Sequence, residues 1–498
     1  MSGGVMPTIV DRVVRDRAAQ WLGRAGVRLP TFAGLADPSR IPQARRTALR
    51  YVDPDSPEPA NLFRVHWYND WSRTGLAATP QHLLLPAELT GVRAPIVMAL
   101  GCLFPMIAAH KVLAGYGCLI PHLVTGRFDP SRHRAVWPST GNYCRGGVAI
   151  SRVLGCRGVA VLPADMSEER FEWLRRWVTR PEDIIRTPGS ESNVKEIYDK
   201  CAELARDPAN VVLNQFAEFG NYIAHYACTG PALARVYEGL RAQQPGLRLA
   251  ALVAASGSAG TLAAGDYLKA EFGARIVVVE ASECPTLLRN GFGEHNIQGI
   301  GDKHVPYIHN VMNTDIVVGV SERSTGALDL LFNSETGRSY LAERRHLDPE
   351  LLSRLETIGL SGIANLVAAI KTARRLELAE DDAIITVATD SAALYLSERQ
   401  KFMTAYYPDG FDAVGAGEVF GQHLLGAADN DVLELTHNER SRIFNLGYYT
   451  WVEQQGVPLE AFERRRRQGF WGKLRQVASA WDLLIAEFNA AAGLEKGR

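Results

Sequence analysis

The stretch Ala254-Ala-Ser-Gly-Ser-Ala-Gly-Thr-Leu-Ala-Ala-Gly265 closes an apolar run, Leu249 to Ala255, and opens a helical pattern that extends to about Phe272. A strand that ends in glycines and feeds a helix turns several backbone N–H groups toward one point at the positive end of the helix dipole. That arrangement suits a phosphate. A dinucleotide site needs Gly-x-Gly-x-x-Gly with an acid about twenty residues on. Glu280, at the end of Arg275-Ile-Val-Val-Val-Glu280, supplies an acid, but the glycines stand at 257, 260 and 265, which is the wrong spacing. No Lys-Ser/Thr follows the loop, which excludes a nucleotide P-loop. Two readings are left: a ligand with one terminal phosphate monoester, or a turn that serves packing alone.

The composition bounds the partners. A chain of 498 residues with 46% apolar and 22% charged residues exceeds one ordinary domain and carries a large core, so two or three lobes are expected. With 54 basic and 55 acidic residues the net charge is −1, which provides no general attraction to nucleic acid or anionic lipid. A small-molecule partner is expected. The seven cysteines, at 102, 118, 144, 156, 201, 228 and 284, form no C-x-x-C pair and no metal-ligand spacing, so reduced thiols in a cytoplasmic setting are expected, with no metal. Charges run through Met1 to Arg15, and no apolar run approaches about 18 residues, so neither secretion nor membrane spanning is expected.

Residues 1 to 60 read as a proline-punctuated extension with one helix, Val10 to Leu22, and a linker, Asp53-Pro-Asp-Ser-Pro-Glu-Pro59. From Leu83 onward short apolar runs alternate with amphipathic helices. The predicted strands include Pro95 to Leu100, Ala135 to Trp137, Gly158 to Leu162, Asn210 to Phe216, Leu249 to Ala255 and Arg275 to Ala281. The predicted helices include Ile107 to Tyr116, Gly147 to Leu154, Glu168 to Trp177, Ala224 to Leu240 and Thr261 to Phe272. This alternation predicts an α/β fold of open, mostly parallel sheets with helices on both faces, and ligands of such folds bind at the carboxyl ends of the strands.

Three further strand-end sites join the glycine loop. Lys111 lies in the apolar segment Met106-Ile-Ala-Ala-His-Lys-Val-Leu-Ala-Gly115, where a desolvated amine has a lowered pKa and can attack a carbonyl, or where the side chain snorkels to solvent. Pro138-Ser-Thr-Gly-Asn-Tyr-Cys144 is a polar turn before a helix; it suits a carboxylate, with Asn142 free to bond a phenolic oxygen, and equally serves as a bare N-cap. Ile384-Ile-Thr-Val-Ala-Thr-Asp-Ser-Ala-Ala393 is a buried strand ending in Asp390-Ser391.

In this order the four sites resemble the tryptophan-synthase-like (fold type II) pyridoxal phosphate enzymes, and within them the cysteine synthase and cystathionine β-synthase family. Leu162-Pro-Ala-Asp-Met-Ser-Glu-Glu-Arg170, Asn214-Gln-Phe-Ala-Glu-Phe-Gly-Asn-Tyr-Ile-Ala-His-Tyr-Ala-Cys-Thr-Gly-Pro231, His295-Asn-Ile-Gln-Gly-Ile-Gly301 and Thr389-Asp-Ser-Ala-Ala-Leu-Tyr-Leu-Ser397 are similar to that family's motifs. The resemblance covers about residues 80 to 400. It implies two α/β lobes within residues 61–400, the smaller at about 100–230, between an extension at 1–60 and a mainly helical one at 401–498.

The resemblance also implies roles. Lys111 would carry pyridoxal 5'-phosphate as a Schiff base and remove the substrate's α-proton, and Gly257, Ser258, Ala259, Gly260 and Thr261 would bind the phosphate. Asn142 would bind the ring oxygen, Ser391 would face the ring nitrogen unless the strand register puts Asp390 there, and Ser139, Thr140, Gly141 and Gln215 would hold the substrate. The implied activity is β-elimination or β-replacement on a cysteine- or serine-type amino acid through an aminoacrylate, by a cytoplasmic homodimer. A serine/threonine dehydratase-like lyase, or a non-catalytic relative of the fold, is the alternative.

Three features depart from the family pattern. The lysine is followed by Val112-Leu113 rather than Asp-Arg, the loop reads Gly257-Ser-Ala-Gly-Thr261, and the turn carries Tyr143-Cys144, which predicts a narrowed substrate entrance and a small nucleophile such as sulfide. Arg464 to Arg467 reads as a solvated helix face.

Overall fold

The structure, a computed structural model, describes residues 6–494; the first five residues of the charged N-terminal stretch lie outside it. Its strands are β1 (His82–Leu85), β2 (Ile96–Leu100), β3 (Arg134–Pro138), β4 (Arg157–Pro163), β5 (Ile184–Thr187), β6 (Asn210–Val212), β7 (Arg248–Ala255), β8 (Arg275–Ala281), β9 (Ile316–Val320), β10 (Asp382–Ala388) and β11 (Val432–Glu434). Seven of them form one sheet in the order β1-β2-β10-β7-β8-β9-β11, and four form a second in the order β5-β4-β3-β6. Within these two sheets the edge pairs β1/β2 and β11/β9 are antiparallel and the other pairs are parallel. Parallel strands covered on both faces need apolar side chains on both, and β2, β9 and β10 are buried at every residue. The fold is therefore the expected α/β arrangement of two mostly parallel sheets, with a largely helical C-terminal part that also supplies edge strand β11 of the larger sheet.

Six helices position the site or tie the ends to it: α1 (Arg12–Arg24), α2 (Lys111–Val124), α3 (Asn142–Val153), α4 (Phe219–Ala224), α5 (Leu262–Phe272) and α6 (Val477–Ala491). The helix expected from Ile107 starts four residues later because Met106 and Ala108 take positive φ, 65° and 47°, which no right-handed helix contains. The strand expected to reach Phe216 stops at Val212, and the Asn214 side chain then accepts the Phe216 N–H at 3.0 Å in a side-chain-stabilised turn. The helix expected from Ala224 begins earlier, at Phe219, and passes through a π-helical turn at 225–229.

The two ends of the chain pack together. Asn489 accepts from the Leu29 N–H at 3.0 Å and donates to the Leu29 carbonyl at 2.9 Å, while the Asp482 carboxylate accepts the Phe32 and Ala33 N–H groups. Tyr116 of α2 donates to the Pro30 carbonyl, so this double layer is fixed to the helix that begins at Lys111. The arginine run is not a solvated helix face. Residues 464–466 form a short 3₁₀ turn, and Arg465 is 2% exposed, donates to the Tyr307 carbonyl at 2.6 Å and lies over the rings of Tyr307, Phe444 and Phe462. Stacking on three aromatic faces compensates the desolvated guanidinium where a lysine would not.

Burial holds His66, His225, His304 and His309 neutral, each depressed to about 3. A depressed folded-state pKa means the unfolded chain binds protons first, so the stability these histidines contribute is complete above pH 6.5 and is lost as pH falls from there toward 3. Each histidine removes up to about 1.4 kcal/mol per pH unit in that window. Thermal melting followed from pH 7 to pH 4 is expected to show a smaller acid-induced loss in His304→Gln than in the unmodified protein; the same pH dependence in both would refute the reading.

Candidate active site

The glycine loop occupies the space between β7 and α5. The Ser256 N–H still pairs with Val279 O, and the N–H groups of residues 262–264 close onto the carbonyls of 259–261. The intervening N–H groups of Gly257 to Thr261 find no acceptor among the described residues. Ala259, at φ 64°, is left-handed, so successive N–H groups converge on one concavity. A Cβ on Gly257 would meet Gly299 O at 2.7 Å and one on Gly260 would meet Asn221 Oδ1 at 2.3 Å, so both positions are closed to side chains. The unpaired donors are thus held on a backbone whose glycine positions no side chain can enter.

Lys111 opens α2 and donates to Ser258 Oγ of this loop at 3.3 Å, and the same oxygen accepts from Asn221 Nδ2 at 2.9 Å. Asn221 also donates to Gln215 O at 3.1 Å, which brings Gln215 to the loop. Burial lowers the Lys111 amine to about 8, against the opposing pull of Asp302, Cys118, Glu191 and Asp390. A primary amine in that range is a competent nucleophile and base near neutrality. Beside it His110 is within 3.2 Å of Thr261 Oγ1, stacks on Trp67 and packs edge-on to His225.

The polar turn lies behind α3. Ser139 Oγ accepts the Gly141 N–H at 3.0 Å, and Gly141, at φ 149°, leaves space that Arg170 fills, its Nε only 2.5 Å from where a Cβ would stand. Thr140 faces Glu191. Asn142 receives Arg145 Nη1 at 2.8 Å and donates to Asp390 Oδ2, which also accepts from Tyr395 OH at 2.7 Å and lies 3.8 Å from Arg170 Nη2. Burial raises the Asp390 carboxyl, and Arg170, Tyr395, Asn142 and Arg145 oppose that shift.

Lys111 and the 257–261 loop meet directly, Gln215 reaches them through Asn221, and Asn142 is tied to the strand end through Asp390. Ser391 does not join them. It lines a neighbouring cleft with Arg73, Cys102 and Asn333, and the adjacent Asp390 is the residue turned into the cluster. Tyr143 and Cys144 do not narrow an entrance. Both are buried in the core, Tyr143 against Trp137 with its hydroxyl on Leu213 O, so the argument for a small nucleophile falls. Glu280 is occupied too: its carboxylate caps the Leu287 and Leu288 N–H groups at 2.8 and 2.7 Å, and has no ribose role.

Two carboxyls escaped the sequence reading. Glu191 and Asp302 are both buried, each has one oxygen without a partner (Oε2 and Oδ2), and both interact with Lys111 and with each other. Asp302 directly follows the quoted His295–Gly301 segment and was within reach; Glu191 sits in a serine- and glycine-rich loop with no periodic signal.

Residues 107–390 match the family described as pyridoxal-phosphate dependent enzyme. The match spans more than half of the chain, which belongs to that family and accordingly uses pyridoxal phosphate. More particularly, the chain is 29% identical over 290 residues to a probable cysteine synthase of Bacillus subtilis, covering 58% of this chain and 84% of that protein. It is 27% identical over 286 residues to the cystathionine beta-synthase of Saccharomyces cerevisiae, covering 55% and 52% respectively. The O-acetylserine dependent cystathionine beta-synthase of Helicobacter pylori shares the fold, with a TM-score of 0.52 at 24% identity over 64% of this chain and 95% of that one.

Gly260→Asp is expected to empty the site. The new carboxylate repels a phosphate held by backbone N–H groups and displaces Asn221 from Ser258. Release of pyridoxal phosphate from denatured protein measures the effect, and full occupancy in the variant would locate the phosphate elsewhere.

Proposed function

We propose that this enzyme acts at the β-carbon of a cysteine- or serine-type amino acid, eliminating or replacing the β-substituent. The observation that carries this reading is the Lys111 amine hydrogen-bonded to the glycine loop whose N–H groups have no protein acceptor. The cofactor supplies the electron sink when bound. The residues present fit it: the 257–261 cradle accepts a phosphate, Lys111 carries the carbonyl-reactive amine, and Asn142 offers an amide to the ring oxygen.

In this reading Lys111 removes the α-proton and holds it as an ammonium. Ser139, Thr140, Gly141 and Gln215 bind the substrate carboxylate and orient the α-C–H bond toward Lys111. Asp390 would take the role that the resemblance gives to Ser391, because it is the strand-end side chain bonded into the cluster through Asn142 and Tyr395. A carboxylate there would favour a protonated ring nitrogen more than a hydroxyl would. Residues 1–60 and 401–498 are proposed to be extensions around a catalytic core at 61–400. A cytoplasmic homodimer is proposed on the family resemblance, and the absence of any disulfide among the seven cysteines is consistent with a reducing setting.

Borohydride reduction followed by peptide mapping is expected to put the pyridoxyl group on Lys111; label on a different lysine would overturn the assignment. Incubation with L-cysteine alone, and with O-acetyl-L-serine plus sulfide, is expected to release sulfide and pyruvate in the first case or cysteine in the second. If neither amino acid changes the visible absorbance of the enzyme, the substrate reading fails and the cofactor assignment stands.

A further inference from the structure

The N-terminal extension carries positive charge that the fold leaves uncompensated. Between Pro38 and Val52 there are four arginines, at 40, 45, 46 and 50, and no acidic residue, in a chain whose net charge is −1. Arg40 pairs with Asp37 at 3.3 Å, and Arg45 lies over the Phe63 ring at 4.5 Å. The side chains of Arg46 and Arg50 have no bonding partner among the described residues. Together with Arg64, Thr47, Thr74 and Asn69 they line a cleft of about 360 Å³, and no acidic residue lines it.

Arg64 is the fixed member of the set. It is 2% exposed, and its Nη1 donates to the Val52 carbonyl at 3.0 Å and to Asn61 Oδ1 at 2.6 Å, while Nη2 donates to the Leu49 carbonyl. These acceptors are neutral, so they hold the guanidinium without cancelling its charge. Asp53, Asp55 and Asp70 act on Arg64 through space, yet none bonds to it. Asp53 accepts the Asp55 N–H at 2.9 Å, Asp55 is paired through both oxygens with Arg73, and Asp70 accepts the Ser72 hydroxyl and the Thr74 N–H. Asn69, 1% exposed, closes the wall by donating to the Arg64 and His66 carbonyls at 2.9 Å each. Three guanidiniums therefore share one concavity with no carboxylate partner, and a cleft walled by one sign of charge concentrates the opposite ion. None of its residues belongs to the glycine loop or the polar turn.

We propose that this cleft binds a small phosphorylated compound, at a site separate from the 257–261 loop. Three positive charges call for a ligand with at least two negative ones. A monocarboxylate leaves two guanidiniums uncompensated, whereas a phosphate ester or a diphosphate offers several charged oxygens, and the planar N–H fork of arginine matches such oxygens in pairs. The hydroxyls of Thr47 and Thr74 add neutral donors. Orthophosphate alone fills a small part of the volume, and Leu49 and Leu76 in the same lining offer apolar surface to an organic remainder.

Isothermal titration of the holoenzyme at constant ionic strength tests the assignment, with the glycine loop already filled by cofactor. Pyrophosphate and glycerol 3-phosphate are titrated separately, which tells a diphosphate ligand from a phosphate ester. At least one of them is expected to bind saturably with one site per chain. Arg46→Ala and Arg50→Ala are each expected to weaken that binding about tenfold or more, the scale of one charge-assisted hydrogen bond. Neither side chain is bonded within the fold, so both variants are expected to melt like the unmodified protein. Arg467→Ala removes the same charge from an exposed position elsewhere and is expected to leave the binding unchanged. No saturable heat with either compound at millimolar concentration, or equal binding in all three variants, would overturn the proposal. Tighter binding of phosphatidylglycerol vesicles or of single-stranded RNA, lost in the same two variants, would assign the arginines to a membrane or a nucleic acid instead.

Discussion

Helix α2 is held by backbone-to-backbone approach on two sides, and the site depends on that clamp. On one side a Cβ on Gly115 would lie 3.2 Å from the Gly146 carbonyl carbon, and one on Gly146 would lie 2.8 Å from Lys111 O. On the other a Cβ on Gly117 would meet Gly220 O at 2.7 Å, and one on Gly220 would meet Gly117 O at 2.2 Å. Any side chain at these glycines forces α3 or α4 away from α2. Asn142 stands at the start of α3 and Asn221 within α4, so the clamp sets both amides relative to the first residue of α2, Lys111. Three chemical groups from distant parts of the chain are thus placed by helix packing, and the loops between them add little.

The cost of assembling the site falls on charge. Arg145, Arg170, Asp390, Glu191 and Asp302 are all buried around Lys111, and each is stabilised only while its neighbours keep their protonation states. Removing one member of such a set leaves an uncompensated buried group, typically a loss of several kcal/mol. Asp390 illustrates the coupling, since one carboxylate holds Asn142 and Tyr395 and balances Arg170. The ring of contacts orients the turn as well as the strand end, so the two cannot shift independently.

The parts of this arrangement legible from residue order are those with a local signature. The glycine loop, the lysine in an apolar segment and the polar turn each sit at a strand end or helix start, where pattern and chemistry coincide. Asp390 and Ser391 were separable only by the structure, because neighbouring residues beyond a strand end point opposite ways and the turn that follows sets which one faces inward. Glu191 carries no periodic signal because a loop has none; its burial comes from the elements that close over it. Tyr143 and Cys144 read as lining the site until the helix start at Asn142 turned them into the core, and Arg465 read as solvated because its aromatic partners lie at 307, 444 and 462.

The meeting of the two chain ends bears on how the protein is made. The Leu29–Asn489 pair spans 460 residues, and the buried face of α1, Ala18, Ala19 and Leu22, belongs to the same core as Trp481, Ile485 and Phe488 of α6. At ribosomal rates of 5–20 residues per second, about half a minute to a minute and a half separates the synthesis of the two layers. Throughout that interval the first helix displays an apolar stripe that α6 has yet to cover, and the segment after it, held to α2 by the Tyr116 bond to the Pro30 carbonyl, lacks its outer layer. The packing of α1 is therefore completed only after α6 has been made, so the N-terminal layer waits on residues more than 450 positions downstream.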